Sequence, residues 1–332
     1  MNGTRAPNTS TVSVAMATYN GADYLQAQLD SLLVQTRQPD ELVVSDDASE
    51  DATLDILQAF KSSAPFPVLV SVADTRAGYV GNFSRAMAMA SGDLICLADQ
   101  DDVWFEDKIA TLTRLAMVDE STLVVMNDAA LVDAGLQGQG LTKLGQLRSA
   151  GYDDSAFVTG CCVAVKKTLL DRILPVPAEA KAHDNWVVDI GRGLQALTLC
   201  EQTLQYYRRH DSNESQVLSN RISGVGRRHR LGMQLSRSFG AEGRALQHRE
   251  LAHVQALRTV MDRLVTDSPP GFDTSVEAFS ESLSQRLHHL DRRERLRGTL
   301  FPLRLIKVLA YYIAGGYRTD NGLKSMVRDC LG

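Results

Sequence analysis

Leu94-Ile95-Cys96-Leu97-Ala98-Asp99-Gln100-Asp101-Asp102 joins an apolar run to three carboxylates within four positions. Such a run without polar alternation reads as a strand buried on both faces, and the acids begin where it stops. The same order of strand, polar turn and helix-period segment recurs on the N-terminal side. Val12-Ser13-Val14-Ala15-Met16-Ala17 ends at the turn Thr18-Tyr19-Asn20-Gly21. A helix is predicted to follow, with Asp23 as its cap and Leu25, Leu29, Leu32 and Leu33 along one stripe. Strand 41–45 leads through Asp46-Asp47-Ala48-Ser49 into a helix that turns Leu54, Leu57 and Phe60 inward. Strand 68–73 leads into a helix near 79–91, and strand 93–98 runs through the acids into a helix near 105–117.

Strands alternating with helices of about a dozen residues predict an α/β fold, a mostly parallel sheet covered by helices. Ligands of such sheets bind beyond the carboxyl ends of the strands. Tyr19, Asp47 and Asp99 to Asp102 all follow such ends, so three turns are expected to meet at one crevice. Beyond residue 120 the pattern loosens, with strands predicted at 122–128, 157–165 and 197–207 and a helix starting near Asp184. From about 221 only helices are read, near 241–265 and 275–297, separated by Ser268-Pro269-Pro270-Gly271.

The chain has 332 residues, 44% hydrophobic and 23% charged, which suits one large domain with an appendage or two medium domains and excludes a disordered or fibrous class. Its five cysteines are odd in number and lack CxxC spacing, which supports neither a disulfide framework nor a structural zinc site. A reducing compartment follows. The first twelve residues are polar, and nowhere do eighteen apolar residues run together, so a cytoplasmic protein that does not span a membrane is expected. The net charge of −5 conceals a division: residues 1–220 carry 16 Lys+Arg against 29 Asp+Glu, whereas 221–332 carry 19 against 11. An acidic part with clustered carboxylates suits a metal ion, and a basic tail suits phosphate groups or a solvated helix face.

Asp99, Asp101 and Asp102 repel one another unless a cation or protons intervene. Oxygen ligands suit Mn²⁺ or Mg²⁺, with substrate phosphates completing the shell. The structural alternative is an acidic helix start, which needs one or two of these acids. In Asp46-Asp47 one carboxylate can accept the imide N–H of uracil or thymine while its neighbour caps a helix with Ser49. Tyr19 can stack on a base or simply pack. Gly78-Tyr79-Val80-Gly81 lacks a third glycine and no GxxxxGK[ST] occurs, which argues against dinucleotide oxidoreductases and P-loop enzymes. Phosphate is then expected on the metal and on Arg76, Arg85 or Arg208-Arg209.

Taken together, Ser13 to Gly21, Val43 to Ser49 and Asp99 to Trp104 resemble glycosyltransferase family 2, the inverting GT-A enzymes, and look most like its rhamnosyltransferase-like branch. Val158-Thr159-Gly160-Cys161-Cys162, His183-Asp184-Asn185-Trp186 and Tyr206-Tyr207-Arg208-Arg209-His210 extend the resemblance to about residue 215. It implies a GT-A catalytic domain at 12–220, after a flexible N-terminus at 1–11 and before a helical basic region at 221–332. By position, Thr18, Tyr19, Asn20, Asp47, Arg76, Asn82 and Asp101 would contact the nucleotide; Asp102, Asp101 and His210 would hold Mn²⁺ or Mg²⁺; and Asp184 would be the general base. From the sequence alone, the preferred reading of Asp184 is a helix N-cap before Trp186 and Val187, and only the resemblance favours the base. Ala17 departs from the hydroxyl residue of many members, which removes one contact to the base.

The implied partners are a nucleotide-diphosphate sugar and a glycan or lipid-linked acceptor, with no nucleic acid. Residues 286–307 hold seven Lys+Arg against two acids and run into Leu303, Leu305, Ile306, Val308, Leu309, Tyr311, Tyr312 and Ile313. That composition fits an interfacial anchor at the inner membrane leaflet, or a helix packed on protein or across a homodimer. Two other functions remain open at this stage: a catalytically silent nucleotide-sugar-binding scaffold or sensor, and nucleotidyl transfer.

Overall fold

The computed structural model describes residues 10–210, 241–317 and 322–331. The chain divides into two compact units, residues 1–227 with 269–272, and 228–268 with 273–332. Most of the expected flexible start and the expected boundary after residue 220 lie outside the described residues. Thr11 is tied down, its N and Oγ1 donating to the Asp93 carboxylate at 2.7 and 2.8 Å.

One sheet organises the first unit. Its strands are β1 (Val12–Thr18), β2 (Glu41–Asp46), β3 (Val68–Val72), β4 (Leu94–Asp99), β5 (Val103–Trp104), β6 (Val124–Val132), β7 (Gly138–Thr142), β8 (Val163–Lys166) and β9 (Leu197–Arg208). They lie in the order β3-β2-β1-β4-β8-β6-β9-β5, with β7 added on β6. β1 pairs parallel with β2 and β4, β2 with β3, and β6 with β9. β8 runs antiparallel between β4 and β6, while β5 and β7 are antiparallel to β9 and β6.

The helices of this unit are α1 (Ala22–Leu33), α2 (Thr53–Ser63), α3 (Gly78–Met89), α4 (Lys108–Val118), α5 (Lys143–Ser149), α6 (Lys167–Ile173) and α7 (His183–Gly193). Side chains alternate across a strand. Val12, Val14 and Met16 therefore share one core with Leu42, Val44, Leu94 and Cys96, closed by Leu25, Leu29 and Leu32 of α1, Leu57 and Phe60 of α2, and Ile109 and Leu112 of α4. Leu33, expected on the same stripe, is 39% exposed. Eight residues beyond Leu25 it lies about 80° around the helix, whereas Leu32 returns to within about 20°.

Three local expectations are corrected. Asp23 does not cap α1; the N-cap is Gly21, and the amides of Ala22 and Gly21 donate to Asp51 Oδ2 and Thr53 Oγ1. Asp46 and Ser49 do not cap α2 but close the turn after β2, where Asp46 accepts from Ser49 N, Ser49 Oγ and Thr18 Oγ1. The segment 157–165 is a strand only from Val163; a 3-10 turn at Gly160–Cys162 precedes it.

The second unit is helical, with Ala241–Leu264, Asp273–Arg297, Leu303–Ile313 and Leu323–Leu331. Its interior holds a charge cluster in which Arg293, Arg297 and the Tyr317 hydroxyl all donate to Asp329. Of the helix Leu303–Ile313, Val308 is buried, whereas Ile306 and Ile313 are 65% and 76% exposed. Among the described residues, no helix is long and apolar enough to cross a membrane.

Candidate active site

A cleft of about 660 Å³ opens in the first unit beyond the carboxyl ends of β1, β2 and β4. Thr18, Tyr19, Asn20, Asp47, Arg76, Asn82 and Asp101 line it, as do Asp99, Asp184 and His210. Asp102 lies behind that surface, with no exposed area. Residues scattered from 18 to 210 are thus gathered into one place.

On one side stands Tyr19. The Gln100 side chain clamps its backbone, accepting from Tyr19 N at 2.9 Å and donating to Tyr19 O at 3.0 Å. A Cβ at position 21 would come within 2.2 Å of Gln100 Oε1, so Gly21 is what admits the clamp. The Arg76 guanidinium lies 3.6 Å from the Tyr19 ring centre. Asp47 accepts from the amides of Ala77 and Gly78, both at 2.8 Å, and from Arg85 Nη2 at 3.0 Å. It therefore anchors the start of α3, where Gly78 takes a positive φ of 73°. Two of its bonds fall on Oδ1 and one on Oδ2, so Oδ2 retains a lone pair.

Thr18 and Asn82 act as staples here. Thr18 Oγ1 donates to Asp46, and Asn82 Nδ2 donates to the Thr18 carbonyl at 3.0 Å. Asn20, with φ 45°, links two turns: its amide donates to Ser49 Oγ and its side-chain oxygen accepts from Glu50 N.

The acidic turn is fixed by β5, which pairs Val103 with Tyr206 and so brings the end of β9 against Asp101 and Asp102. Asp102 accepts from Gln205 Nε2 at 2.6 Å and from Arg208 N at 3.2 Å. Gln205 in turn accepts from Lys108 Nζ, a buried amine that also donates to the Cys161 carbonyl at 2.7 Å. Asp101 Oδ2 lies 2.7 Å from His210 Nε2, and His210 stacks on Tyr24 with centroids 4.4 Å apart. Arg208 donates to the carbonyls of Asp101 and Ala134. Arg208 and Arg209 are both buried.

Burial, reinforced by Asp101, pushes the Asp102 carboxyl up to about 7. Burial and the charges of Asp102, Asp101 and Asp184 push Asp99 well above the carboxylate range. Ligand atoms of Asp99, Asp102 and Cys161 lie within 4.8 Å of one another. Two crowded carboxylates in a buried site fit a hard divalent cation, because the ion offsets the burial and the neighbouring charges that raise both. Burial holds the Cys161 thiol protonated, where it acts as a hydrogen-bond donor to the acids.

The start of α7 and the 158–160 loop form another part of the lining. Trp186 anchors α7, its Nε1 donating to Ile173 O at 2.9 Å. The N-cap of α7 is Ala182, so Asp184 is not the cap that its sequence allowed. The Asp184 side chain lines the cleft, and its charge reaches Asp99. Gln100, Lys108, Gln205 and Cys161 had no assigned role in the sequence reading. Lys143 of α5 also lines the cleft; burial and the charge of Arg209 lower its amine to about 8. Only Gln100 had a local signal, its place among the acids.

Residues 13–174 match the family model described as Glycosyl transferase family 2. The dTDP-rhamnosyl transferase RfbG of Shigella flexneri is 27% identical over 239 residues, covering 68% of this chain and 81% of that protein. The Escherichia coli UDP-Glc:alpha-D-GlcNAc-diphosphoundecaprenol beta-1,3-glucosyltransferase WfaP is 33% identical over 99 residues, 30% of this chain and 38% of that protein. The crystal structure of S. aureus TarS 1-349 in complex with UDP superposes with a TM-score of 0.52 at 17% identity, covering 88% of this chain and 93% of that one. The fold is GT-A.

Proposed function

We propose, for a glycosyltransferase whose residues 13–174 belong to family 2, that it moves a hexose or deoxyhexose from a nucleoside diphosphate to a glycan or lipid-linked hydroxyl with inversion. One observation carries this reading: Asp184, at the start of α7, lines the same cleft as Asp99 and Asp101 of the acidic turn, although the two segments lie far apart in the chain. Inversion requires a proton acceptor on the face opposite the leaving group, and Asp184 is that acceptor. It takes the proton of the acceptor hydroxyl as the oxygen attacks the anomeric carbon, while the bond to the diphosphate breaks.

Asp99 and Asp102 would hold Mn²⁺ or Mg²⁺, with Asp101 and His210 beside them. Such an ion would supply Lewis-acid stabilisation of the departing diphosphate. Tyr19 stacks on the base, and Asp47 Oδ2 accepts the imide N–H that uracil and thymine share. Both donor types occur in the names of relatives, dTDP-rhamnose with RfbG and UDP-glucose with WfaP. The WfaP name also contains a diphosphoundecaprenol acceptor, which favours lipid-linked glycan as the acceptor class.

The test is product identity. Incubated with Mn²⁺, dTDP-rhamnose or UDP-glucose and a polyprenyl-diphosphate sugar, the protein is expected to release dTDP or UDP. Release of pyrophosphate would instead identify nucleotidyl transfer and overturn the proposal.

The helix Leu303–Ile313 supports a location for that acceptor. Its exposed Leu303, Ile306, Leu309 and Ile313 adjoin Arg304 and Lys307, and the preceding Leu300 and Phe301 are exposed as well. Apolar side chains flanked by cations match an anionic lipid surface better than a neutral one. The protein is expected to sediment with phosphatidylglycerol vesicles and far less with phosphatidylcholine, and Ile306→Glu with Leu309→Glu should abolish the difference. A concentration-dependent dimer that the same pair disrupts, without vesicle binding, would assign the stripe to a second copy and refute the membrane reading.

A further inference from the structure

The part of the cleft lining formed by the 158–160 loop and the start of α7 holds polar groups that the chemistry above does not use. Thr159 and His183 are each 5% exposed, and both line the cleft. Thr159 Oγ1 and both His183 ring nitrogens have no hydrogen-bond partner among the described residues. Buried polar atoms are almost always paired, because each unpaired one forfeits its bonds to water without replacement. Two such residues on one wall, beside Asp184, indicate a partner that arrives from outside.

The surroundings specify that partner. His183 stacks on Phe83, with centroids 3.9 Å apart and planes within 14°, and it meets the edge of Tyr79 at 6.0 Å. Tyr79 is 44% exposed and lines the same cleft. Gly160 leaves the imidazole its place, since a Cβ there would stand 2.7 Å from Nε2. Burial lowers the His183 pKa against the opposing influence of Asp184, which keeps the ring neutral. A neutral imidazole offers one donor and one acceptor, and a threonine hydroxyl offers both. A ligand with several hydroxyls and a face of C–H bonds satisfies all of these groups together; an anion or a purely apolar molecule does not.

We propose that Thr159, His183 and Tyr79 form a pyranose subsite, in which Thr159 Oγ1 and a His183 ring nitrogen bind sugar hydroxyls while the Tyr79 ring packs against the C–H face. The subsite rests on the transferase reading above and extends it, because it assigns sugar recognition to this wall and nucleotide recognition to the Tyr19 wall. The ring held there is either the transferred sugar or the acceptor sugar, which share this chemistry.

Thr159→Val keeps the side-chain shape and removes the hydroxyl, and His183→Phe keeps the stack on Phe83 and removes the nitrogens. Neither breaks a bond within the protein, so Tm should stay level or rise, whereas Thr159→Ser should behave like the parent. Calorimetry with dTDP and UDP, then with dTDP-rhamnose and UDP-glucose, separates the base from the sugar. If the subsite holds the transferred sugar, each variant leaves dTDP or UDP affinity unchanged and weakens the intact donor by about tenfold, a lost hydrogen bond's worth. If it holds the acceptor sugar, donor affinity is unchanged and the KM for the polyprenyl-diphosphate sugar rises by a similar factor. Equal loss of dTDP and dTDP-rhamnose affinity, or no change in any of these measurements, overturns the subsite. Failure of the parent protein to bind dTDP or UDP at all would count against the transferase reading instead.

Discussion

Asp184→Asn is expected to lower kcat by about 10²- to 10⁴-fold while leaving the affinity for dTDP or UDP unchanged. The amide matches the carboxylate in size and preserves the bond from Asn185 N, which Asp184 Oδ1 accepts at 2.8 Å. It cannot take a proton from the acceptor. Trp186 and the core face of α7 still hold the helix in place, so the loss should appear in turnover and not in Tm. Pre-steady-state measurement of product release sharpens the result, because a chemical defect slows the first turnover as much as later ones. Unaltered transfer by the variant would remove Asp184 from the reaction.

The second large effect is metal dependence, and it carries a pH signature. The Asp102 carboxyl is pushed up to about 7 in the folded chain, from an ordinary 3.8, chiefly through burial and then through Asp101. A raised carboxylate favours the fold at low pH and withdraws that support as pH climbs. Without metal, stability should therefore fall between about pH 4 and 7, by an amount on the order of a few kcal/mol. Divalent metal reverses this trend, because it binds the deprotonated acids. Added Mn²⁺ should raise Tm more at pH 8 than at pH 6, and an excess of one hundred times Kd is worth about 2.7 kcal/mol. Asp99→Asn relieves the repulsion, so the metal-free variant should melt higher at pH 8, lose the Mn²⁺ shift and lose turnover. A Mn²⁺ shift that is equal at both pH values, or that survives Asp99→Asn, would refute this site.

The parts of the site written on single strands were legible. Tyr19, Asp47 and the Asp99 to Asp102 turn each follow an apolar run, and the end of a strand in an α/β sheet is where ligands gather. Asp184 was legible only through resemblance, since an acid near a helix start is ordinary. Gln205 and Lys108 were not legible at all. Their role depends on β5 pairing with β9, which brings Gln205 to Asp102 across 103 positions of chain. The antiparallel β8 was hidden for a similar reason: four residues of Val-Ala-Val-Lys do not reveal their direction. β7 and α5 were missed because Gly138–Thr142 is glycine-rich and mostly exposed, a composition that reads as loop although its backbone completes a ladder with β6.

Arg76 rests its guanidinium on the ring of Tyr19 and stays within 4.0 Å of Asp47. A base that comes to lie on the same face of that ring has to dislodge the cation, giving up about 0.5–1 kcal/mol of attraction. A bare nucleobase or nucleoside brings nothing in return. A diphosphate does, because the displaced arginine then stands free at the rim to receive its oxygens. On the proposed reading, this cation would tilt binding toward diphosphates over unphosphorylated look-alikes by about two- to five-fold, without a glycine loop to grip the phosphate.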